Sequence, residues 1–285
     1  MPKHLDRDTI SPSLSKTTTG HPKSLYDGIM AITEVQNRAI PRPANESSLL
    51  EQARQRLIVA LDVPDTASAV SLLDRLDNAC HWFKVGLELF IAAGPSVLEP
   101  ILARGHSVFL DLKLHDIPNT VAGGVRSAAA LGVHMLTVHA AGGPQMLTAA
   151  QEALAGKANP PQLLAVTVLT SMDAPQLGAT GIQRSPAEQV SVLAGMALNA
   201  GIRGFVCSPQ EAQRMRCLTG PEGVLVVPGI RPAGAAIGDQ KRIASPADAL
   251  RAGASYLVVG RPITHAANPA AAATAILDEM ANALA

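Results

Sequence analysis

The feature of this 285-residue chain that most constrains its fold is a rhythm that begins at Leu57. Short apolar runs rich in β-branched residues alternate with Ala- and Leu-rich stretches whose apolar residues recur at i, i+3 and i+4, as in amphipathic helices. Strands that are apolar along their whole length are typical of parallel sheets, which are covered on both faces. Eight such runs occur, at residues 57–62, 82–87, 107–113, 134–140, 163–169, 204–208, 224–229 and 256–260.

Eight strand–helix units in about 230 residues predict a closed (β/α)8 TIM barrel of the α/β class. An open, doubly wound sheet is the alternative, but it usually has fewer strands and a glycine-rich first turn. The first turn here reads ALDVPD and is not glycine-rich. Because TIM-barrel active sites lie at the carboxyl ends of the strands, we expect the functional side chains there.

The first fifty residues differ in composition from the remainder. They are rich in Ser, Thr, Pro and charged residues and show no sustained hydrophobic period. This pattern predicts a flexible N-terminal extension at residues 1–50, followed by a catalytic domain at residues 51–285. A transit peptide is the alternative, but the acidic residues Asp6, Asp8 and Asp27 count against it.

Charge and cysteine content limit the class of partner. The chain has 23 basic and 23 acidic residues, whereas a general nucleic-acid or membrane-surface protein would need a basic excess. No apolar run approaches the ~20 residues of a membrane span. The three cysteines, Cys80, Cys207 and Cys217, lack metal-ligand spacing and fit a reducing compartment. We therefore expect a cytoplasmic protein with neither nucleic acid nor membrane as a partner.

Fixed charge is concentrated in the segment FLDLKLHDIPNT, residues 109–120. Asp111 and Lys113 are two apart on the third strand, so their side chains point to the same face. Isolated buried charges are unfavourable, and Lys84 on the neighbouring strand can provide a partner. The pattern indicates an alternating array of lysine and aspartate at the mouth of the barrel. A purely structural ion-pair network is the alternative.

Polar residues also end other strands. Asp62 follows the first strand and is either a functional carboxylate or the N-cap of the next helix. His139 ends the fourth strand, and we interpret it as structural. Thr170 and Ser171 follow the fifth strand.

The last two strands lead into a pattern typical of phosphate binding. PGIRPAGAAIGDQ, which begins at Pro228, follows the seventh strand and contains Arg231 and Gln240. VVGRPIT places Gly260 and Arg261 after the eighth strand. Loops in these two positions commonly bind phosphate in TIM barrels, and backbone N–H groups with an arginine fork suit a dianion.

The segments LDLKLHDIPNT, LTVHAAGG, VTVLTSM, VVPGIRP…GDQKRI and VVGRPIT, in this order, resemble the orotidine 5′-phosphate decarboxylases. The resemblance extends from about Leu57 to the C-terminus and does not include the first fifty residues. It implies a homodimeric TIM barrel that converts orotidine 5′-phosphate to UMP in de novo pyrimidine biosynthesis, without metal or organic cofactor.

The resemblance also implies roles for individual residues. Lys113 resembles the catalytic lysine, which stabilises a carbanion at C6 of the pyrimidine and protonates it, and Lys84 and Asp111 resemble its charged neighbours. Asp116 resembles the aspartate that enters the partner subunit's site. The remaining substrate contacts would be Asp62 for the ribose, Ile117 and Thr120 beside Asp116, Thr170 and Ser171 for the nucleotide and its pyrimidine, and Arg231, Gln240, Gly260 and Arg261 around the phosphate. Pro228 is a further expected substrate contact.

Two other functions remain open from the sequence. A magnesium-dependent relative of the same fold, such as a hexulose-6-phosphate synthase, shares the D-x-K-x-x-D core, but an acidic residue is expected there in place of Lys84. A phosphate-binding barrel without catalytic activity is the second, although a binder does not need a buried lysine between two carboxylates.

Overall fold

The computed structural model describes residues 46–232 and 242–285 of the chain. In this part, parallel strands close into a barrel in chain order, and the last strand pairs with the first. The predicted TIM barrel is therefore confirmed, and the doubly wound alternative is wrong. The strands are β1 (Leu57–Ala60), β2 (Trp82–Gly86), β3 (Ser107–Leu114), β4 (Met135–His139), β5 (Gln162–Val166), β6 (Gly204–Val206), β7 (Val224–Val227) and β8 (Tyr256–Val259).

Helices precede, connect and follow the strands, together with short 3-10 turns at Pro95–Leu98 and Ala140–Gly142. The helices are α1 (Glu46–Arg54), α2 (Thr66–Leu76), α3 (Leu87–Ala93), α4 (Glu99–Leu102), α5 (Pro118–Ala130), α6 (Gly143–Glu152), α7 (Ala174–Ala179), α8 (Pro186–Asn199), α9 (Pro209–Thr219), α10 (Pro246–Arg251), α11 (Arg261–Thr264) and α12 (Pro269–Leu284). No helix in the described ranges is long and apolar enough to cross a membrane.

The predicted domain boundary after residue 50 falls inside α1, which packs against α12. Ala53 in this helix is fully buried. The rest of the predicted extension, and with it the transit-peptide alternative, lies outside the described residues.

Several helices begin at residues whose side chains satisfy the free N–H groups of the first turn. Asp65 accepts a hydrogen bond from the backbone of Ser68 at the start of α2. Asp173 and Ser185 form reciprocal capping boxes at α7 and α8, with Gln176 and Glu188. These caps fix where each connection turns from loop into helix.

Two apolar layers surround the sheet. Side chains that alternate along the strands, such as Leu57 and Val59, face the helices and form the larger core. The intervening residues, such as Ile58 and Phe109, fill the barrel interior. At the amino end of the barrel the ring of Trp82 lies 5.4 Å from that of Tyr256, centroid to centroid. The packed interior leaves the carboxyl end as the place for a site.

Strand β3 is irregular where it reaches this end. Leu110 pairs with Leu136 and Leu114 pairs with Val138, so four residues of β3 lie opposite two of β4. The two extra residues form a bulge, and Lys113 within it has a left-handed φ of 50°. A non-glycine residue in this conformation is strained by about 1–2 kcal/mol. Simple alternation therefore does not explain why Asp111 and Lys113 meet on one side.

Candidate active site

A cavity of about 620 Å³ opens at the carboxyl ends of the strands. This volume is within the usual range for small-molecule sites, about 300–1,000 Å³. Its apolar lining comes from the barrel interior and includes Phe109, Val166 and Val226. Its polar lining includes most of the site residues predicted from the sequence: Asp62, Lys84, Asp111, Lys113, Thr170, Ser171, Arg231 and Arg261, with Pro228 and Gly260 beside them.

The charged side chains form one continuous array across the cavity. Lys113 Nζ lies 2.8 Å from both carboxylate oxygens of Asp111. Lys84 Nζ lies 2.9 Å from Asp62 Oδ1 and 3.8 Å from Asp111 Oδ2. The order is thus Asp62, Lys84, Asp111, Lys113, and the nearer partner of Lys84 is Asp62. The alternative that Asp62 caps the next helix is wrong, because Asp65 caps α2.

The inner members of the array are shielded from water. The side chains of Lys84 and Asp111 are each 12% exposed, whereas those of Lys113 and Asp62 are 31% and 57% exposed. Like or opposite unit charges 4 Å apart interact by ~4 kcal/mol at an effective dielectric constant near 20. The alternation of sign therefore stabilises the array, and any group that enters it meets strong, fixed fields.

Thr137 on β4 is a functional candidate that the sequence reasoning missed. Its hydroxyl is fully buried, accepts a hydrogen bond from Lys113 N at 2.8 Å and donates one to Asp111 Oδ1 at 3.0 Å. One side chain thus fixes both the strained backbone of Lys113 and the carboxylate that holds its ammonium group. The signal in the sequence is a lone hydroxyl inside an apolar strand, which also occurs in ordinary cores.

Gly86 leaves the space that the lysine needs. A Cβ at this position would lie 2.9 Å from Lys84 Nζ and 3.6 Å from Asp62 Oδ1. A side chain here would push the ammonium group from its position near Asp62, so glycine at the end of β2 leaves room for the array as it stands.

Two arginines, Arg231 and Arg261, also line the cavity. The guanidinium group of Arg231 donates to the carbonyl of Ile230 at 2.8 Å, and a bridge between Ile230 and Ala244 holds this segment. Gly260 and Arg261 follow β8, and His265, which sequence reasoning missed, also lines the cavity. Gln240 lies outside the described residues.

Three predicted site residues do not reach this cavity. Asp116 and Ile117 line a separate, open groove beside His115, and Thr120 is exposed on the first turn of α5. The carboxylate of Asp116 accepts a hydrogen bond from Ile117 N at 2.6 Å, and Ile117 is 67% exposed. These residues therefore do not line the cavity that holds the chain's own lysine–aspartate array.

His139 lies at the end of β4 but does not line the cavity. Its ring packs against that of His115, with the centroids 5.4 Å apart. Burial lowers its pKa, with smaller contributions in the same direction from His115 and Lys113. These contacts agree with our structural interpretation of His139.

Comparison with known proteins shows the family of this chain. Residues 55–276 match the family model described as Orotidine 5'-phosphate decarboxylase / HUMPS family. The chain belongs to this family. The matched span covers every strand of the barrel and begins close to the end of α1.

Several proteins that are similar in sequence or structure carry the name orotidine 5'-phosphate decarboxylase. The orotidine 5'-phosphate decarboxylase of Moorella thermoacetica is 53% identical over 80% of this chain and 93% of its own length. That of Halorhodospira halophila is 55% identical over 80% of this chain and 97% of its own. The crystal structure of the Lactobacillus acidophilus enzyme covers 79% of this chain and 98% of its own at 41% identity, with a TM-score of 0.70.

Proposed function

We propose that this chain decarboxylates orotidine 5′-phosphate to UMP, a step of pyrimidine biosynthesis, with Lys113 as the group that acts at C6. The observation that carries the proposal is the ammonium group of Lys113, held 2.8 Å from both oxygens of Asp111 inside the cavity. The family and the names of relatives at 50–55% identity support the choice of substrate.

The reaction requires a stabilised negative charge on carbon. When the C6–carboxylate bond breaks, CO₂ leaves and the electron pair remains at C6, where no ring carbonyl fully delocalises it. The Lys113 ammonium group stabilises this pair and then transfers a proton from Nζ to C6, which leaves a neutral amine and UMP. A preorganised cation needs no reorientation at the moment of reaction.

Asp111 contributes in two ways. It positions Lys113 through both carboxylate oxygens, and its negative charge also repels the carboxylate of the substrate. At 4 Å, two like charges repel by ~4 kcal/mol at an effective dielectric constant near 20. Lys84 and Lys113 offset part of that repulsion, so we assign the larger share of the rate enhancement to the positioned lysine.

We assign the rest of the nucleotide to other residues that line the cavity. Asp62 binds the ribose hydroxyls, Thr170 and Ser171 contact the pyrimidine, and Arg231 and Arg261 bind the phosphate with the backbone at Gly260. Two further substrate contacts in this proposal are Pro228, which lines the cavity, and Gln240, which lies outside the described residues. Because the phosphate binds far from C6, its binding energy can orient the ring for the reaction.

We further propose that the active protein is a homodimer with shared sites. Pro118 fixes its own φ and biases Ile117 toward extended geometry, so Asp116 is directed away from its own barrel. An exposed aspartate beside an exposed isoleucine suits entry into a neighbouring subunit. By two-fold symmetry, each chain would donate Asp116, Ile117 and Thr120 and receive the same set.

Mixing two inactive variants tests the shared site. A dimer of one Lys113→Ala chain and one Asp116→Ala chain has one site with both lesions and one with neither. Random exchange makes half of the dimers mixed, so about a quarter of wild-type activity should return. If subunit exchange is verified and no activity returns, Asp116 acts in its own chain.

Turnover of orotidine 5′-phosphate in EDTA tests the reaction and its metal independence. Two ammonium groups flank Asp111, an arrangement that favours chemistry without a divalent cation. Full activity in EDTA supports the proposal. Activity that EDTA abolishes and Mg²⁺ restores would indicate the magnesium-dependent relative, and UMP binding without turnover would indicate a binding protein.

We propose the cytoplasm as the site of action. All three cysteines are free thiols, and Cys80 and Cys207 are buried. Burial raises the pKa of each of these two thiols to about 12, so they are unreactive core residues. Three unpaired thiols suit a reducing compartment.

A further inference from the structure

A buried ion pair connects three loops at the carboxyl end of the barrel. Arg242, after β7, pairs with Glu211 in the first turn of α9, after β6. The same guanidinium group donates from Nη2 to the carbonyl of Leu169 at 2.8 Å and from Nε to that of Thr170 at 3.4 Å, both after β5. Neither Arg242 nor Glu211 lines the cavity.

Glu211 is itself held in a fixed position. It is 5% exposed, and its Oε2 accepts hydrogen bonds from the backbone N–H, at 2.9 Å, and the hydroxyl of Ser208. Ser208 is fully buried where β6 turns into α9. Because both charges of the pair are buried, removing either partner leaves the other uncompensated. The pair therefore forms a rigid support.

The guanidinium group fixes the orientation of two peptide units that border the cavity. In a trans peptide, the N–H points opposite to the C=O. Since the carbonyls of Leu169 and Thr170 point at Arg242, the N–H groups of Thr170 and Ser171 point away from it. The Leu169 carbonyl also accepts from Met172 N at 2.9 Å, which closes the turn. Leu169, Thr170 and Ser171 all line the cavity.

We propose that Arg242 is a positioning residue for the segment 169–171, with Glu211 as its fixed counter-charge. The inference rests on the proposed function, in which Thr170 and Ser171 contact the pyrimidine. Arg242 then acts at the ring end of the substrate, through the backbone of this segment, and not at the phosphate end. Its loss impairs alignment of the ring with Lys113 whether or not the substrate carries a phosphate.

The test compares kcat/KM for orotidine 5′-phosphate with that for orotidine, the nucleoside that lacks the phosphate. Arg242→Ala should lower both values by a similar factor, roughly ten- to one hundredfold, as expected for a misplacement near 1 Å. Arg261→Ala should lower only the value for the phosphorylated substrate. Added guanidinium ion should restore part of the activity of Arg242→Ala, because it can occupy the vacated position between the carbonyls and Glu211.

Arg216→Ala is the matched control. Arg216 also donates to backbone carbonyls, those of Gly220, Gly223 and Gly253, but it does not line the cavity. This variant should lower the melting temperature and leave kcat/KM of the folded protein unchanged. If Arg242→Ala does not fold, Arg242→Lys serves the same comparison, because it keeps the charge opposite Glu211 and loses the fork that spans two carbonyls.

Three results would overturn the proposal. One is an Arg242 variant that behaves like the Arg216 control, with lower stability and unchanged kcat/KM. A second is a loss confined to the phosphorylated substrate, which would place the action of Arg242 at the phosphate. A third is a complete absence of guanidinium rescue in folded Arg242→Ala. Failure of the proposed function would instead appear as no turnover by the wild-type chain.

Discussion

Replacing Thr137 by valine tests how the strained lysine is held. Valine has nearly the shape of threonine but neither donates nor accepts a hydrogen bond. The change removes the acceptor of Lys113 N, 2.8 Å away, and the donor to Asp111 Oδ1, 3.0 Å away. Both partners remain in place, so the effect reports on the hydroxyl group and not on a cavity.

The magnitude follows from the partners of that hydroxyl. A hydrogen bond to a charged group contributes about 1.5–3 kcal/mol. If this energy positions Asp111 and Lys113 in the transition state, kcat should fall by about tenfold to one hundredfold. The free energy of unfolding should fall by about 1–3 kcal/mol, because Lys113 N is left without this acceptor in a bulge.

Steady-state kinetics and denaturant unfolding measure the two effects separately. Thr137→Ser is the control, because it keeps the hydroxyl and loses only a buried methyl group. It should destabilise the protein by about 1 kcal/mol and keep kcat near the wild-type value. A folded Thr137→Val variant whose kcat is within about twofold of wild type would show that the hydroxyl group does not position Lys113 for catalysis.

Three further predictions concern other parts of the chain. Arg261→Ala should lower kcat/KM for orotidine 5′-phosphate and barely change the slow reaction of orotidine; a large loss with orotidine would mean that Arg261 acts at the ring. Deleting residues 1–45 should leave melting temperature and activity unchanged; a melting temperature lower by more than about 4 °C, roughly 2 kcal/mol at this size, would show that the segment packs on the barrel. Burial lowers the pKa of His106 and His134 below the usual 6.5, so the unfolded chain binds protons at a higher pH than the folded chain. Stability should therefore be full above about pH 6.5 and fall as the pH drops below it, and denaturant midpoints that stay constant from neutral to acidic pH would contradict this sign.

Local pattern was sufficient to predict the barrel. Each of the eight strands of the described barrel overlaps a run identified from β-branched residues and turns, because strands covered on both faces are apolar along their length. Chain order then fixes which strand ends meet at one rim. This is why Lys84, Asp111 and Lys113, which are distant from Arg261 in sequence, could be assigned to one site.

The features that the sequence did not reveal depend on the register between strands and on contacts between residues distant in sequence. The two-residue bulge in β3, which brings Lys113 into a left-handed conformation, depends on how β3 aligns with β4. The role of Thr137 follows from that alignment. The pairing of Arg242 with Glu211 joins residues 31 positions apart, and neither residue type in its local context indicates the other.

The variant Lys113→Ala decides whether Lys113 acts in the transition state of decarboxylation. The measurement is kcat for orotidine 5′-phosphate together with the affinity for UMP. The matched control is Lys157→Ala, because Lys157 is an exposed lysine distant in sequence from Lys113. Turnover should be abolished in Lys113→Ala, UMP affinity should change only modestly, and the control should be unchanged. A Lys113→Ala enzyme that keeps more than about a tenth of wild-type kcat, a loss under ~1.4 kcal/mol, would exclude this role for Lys113.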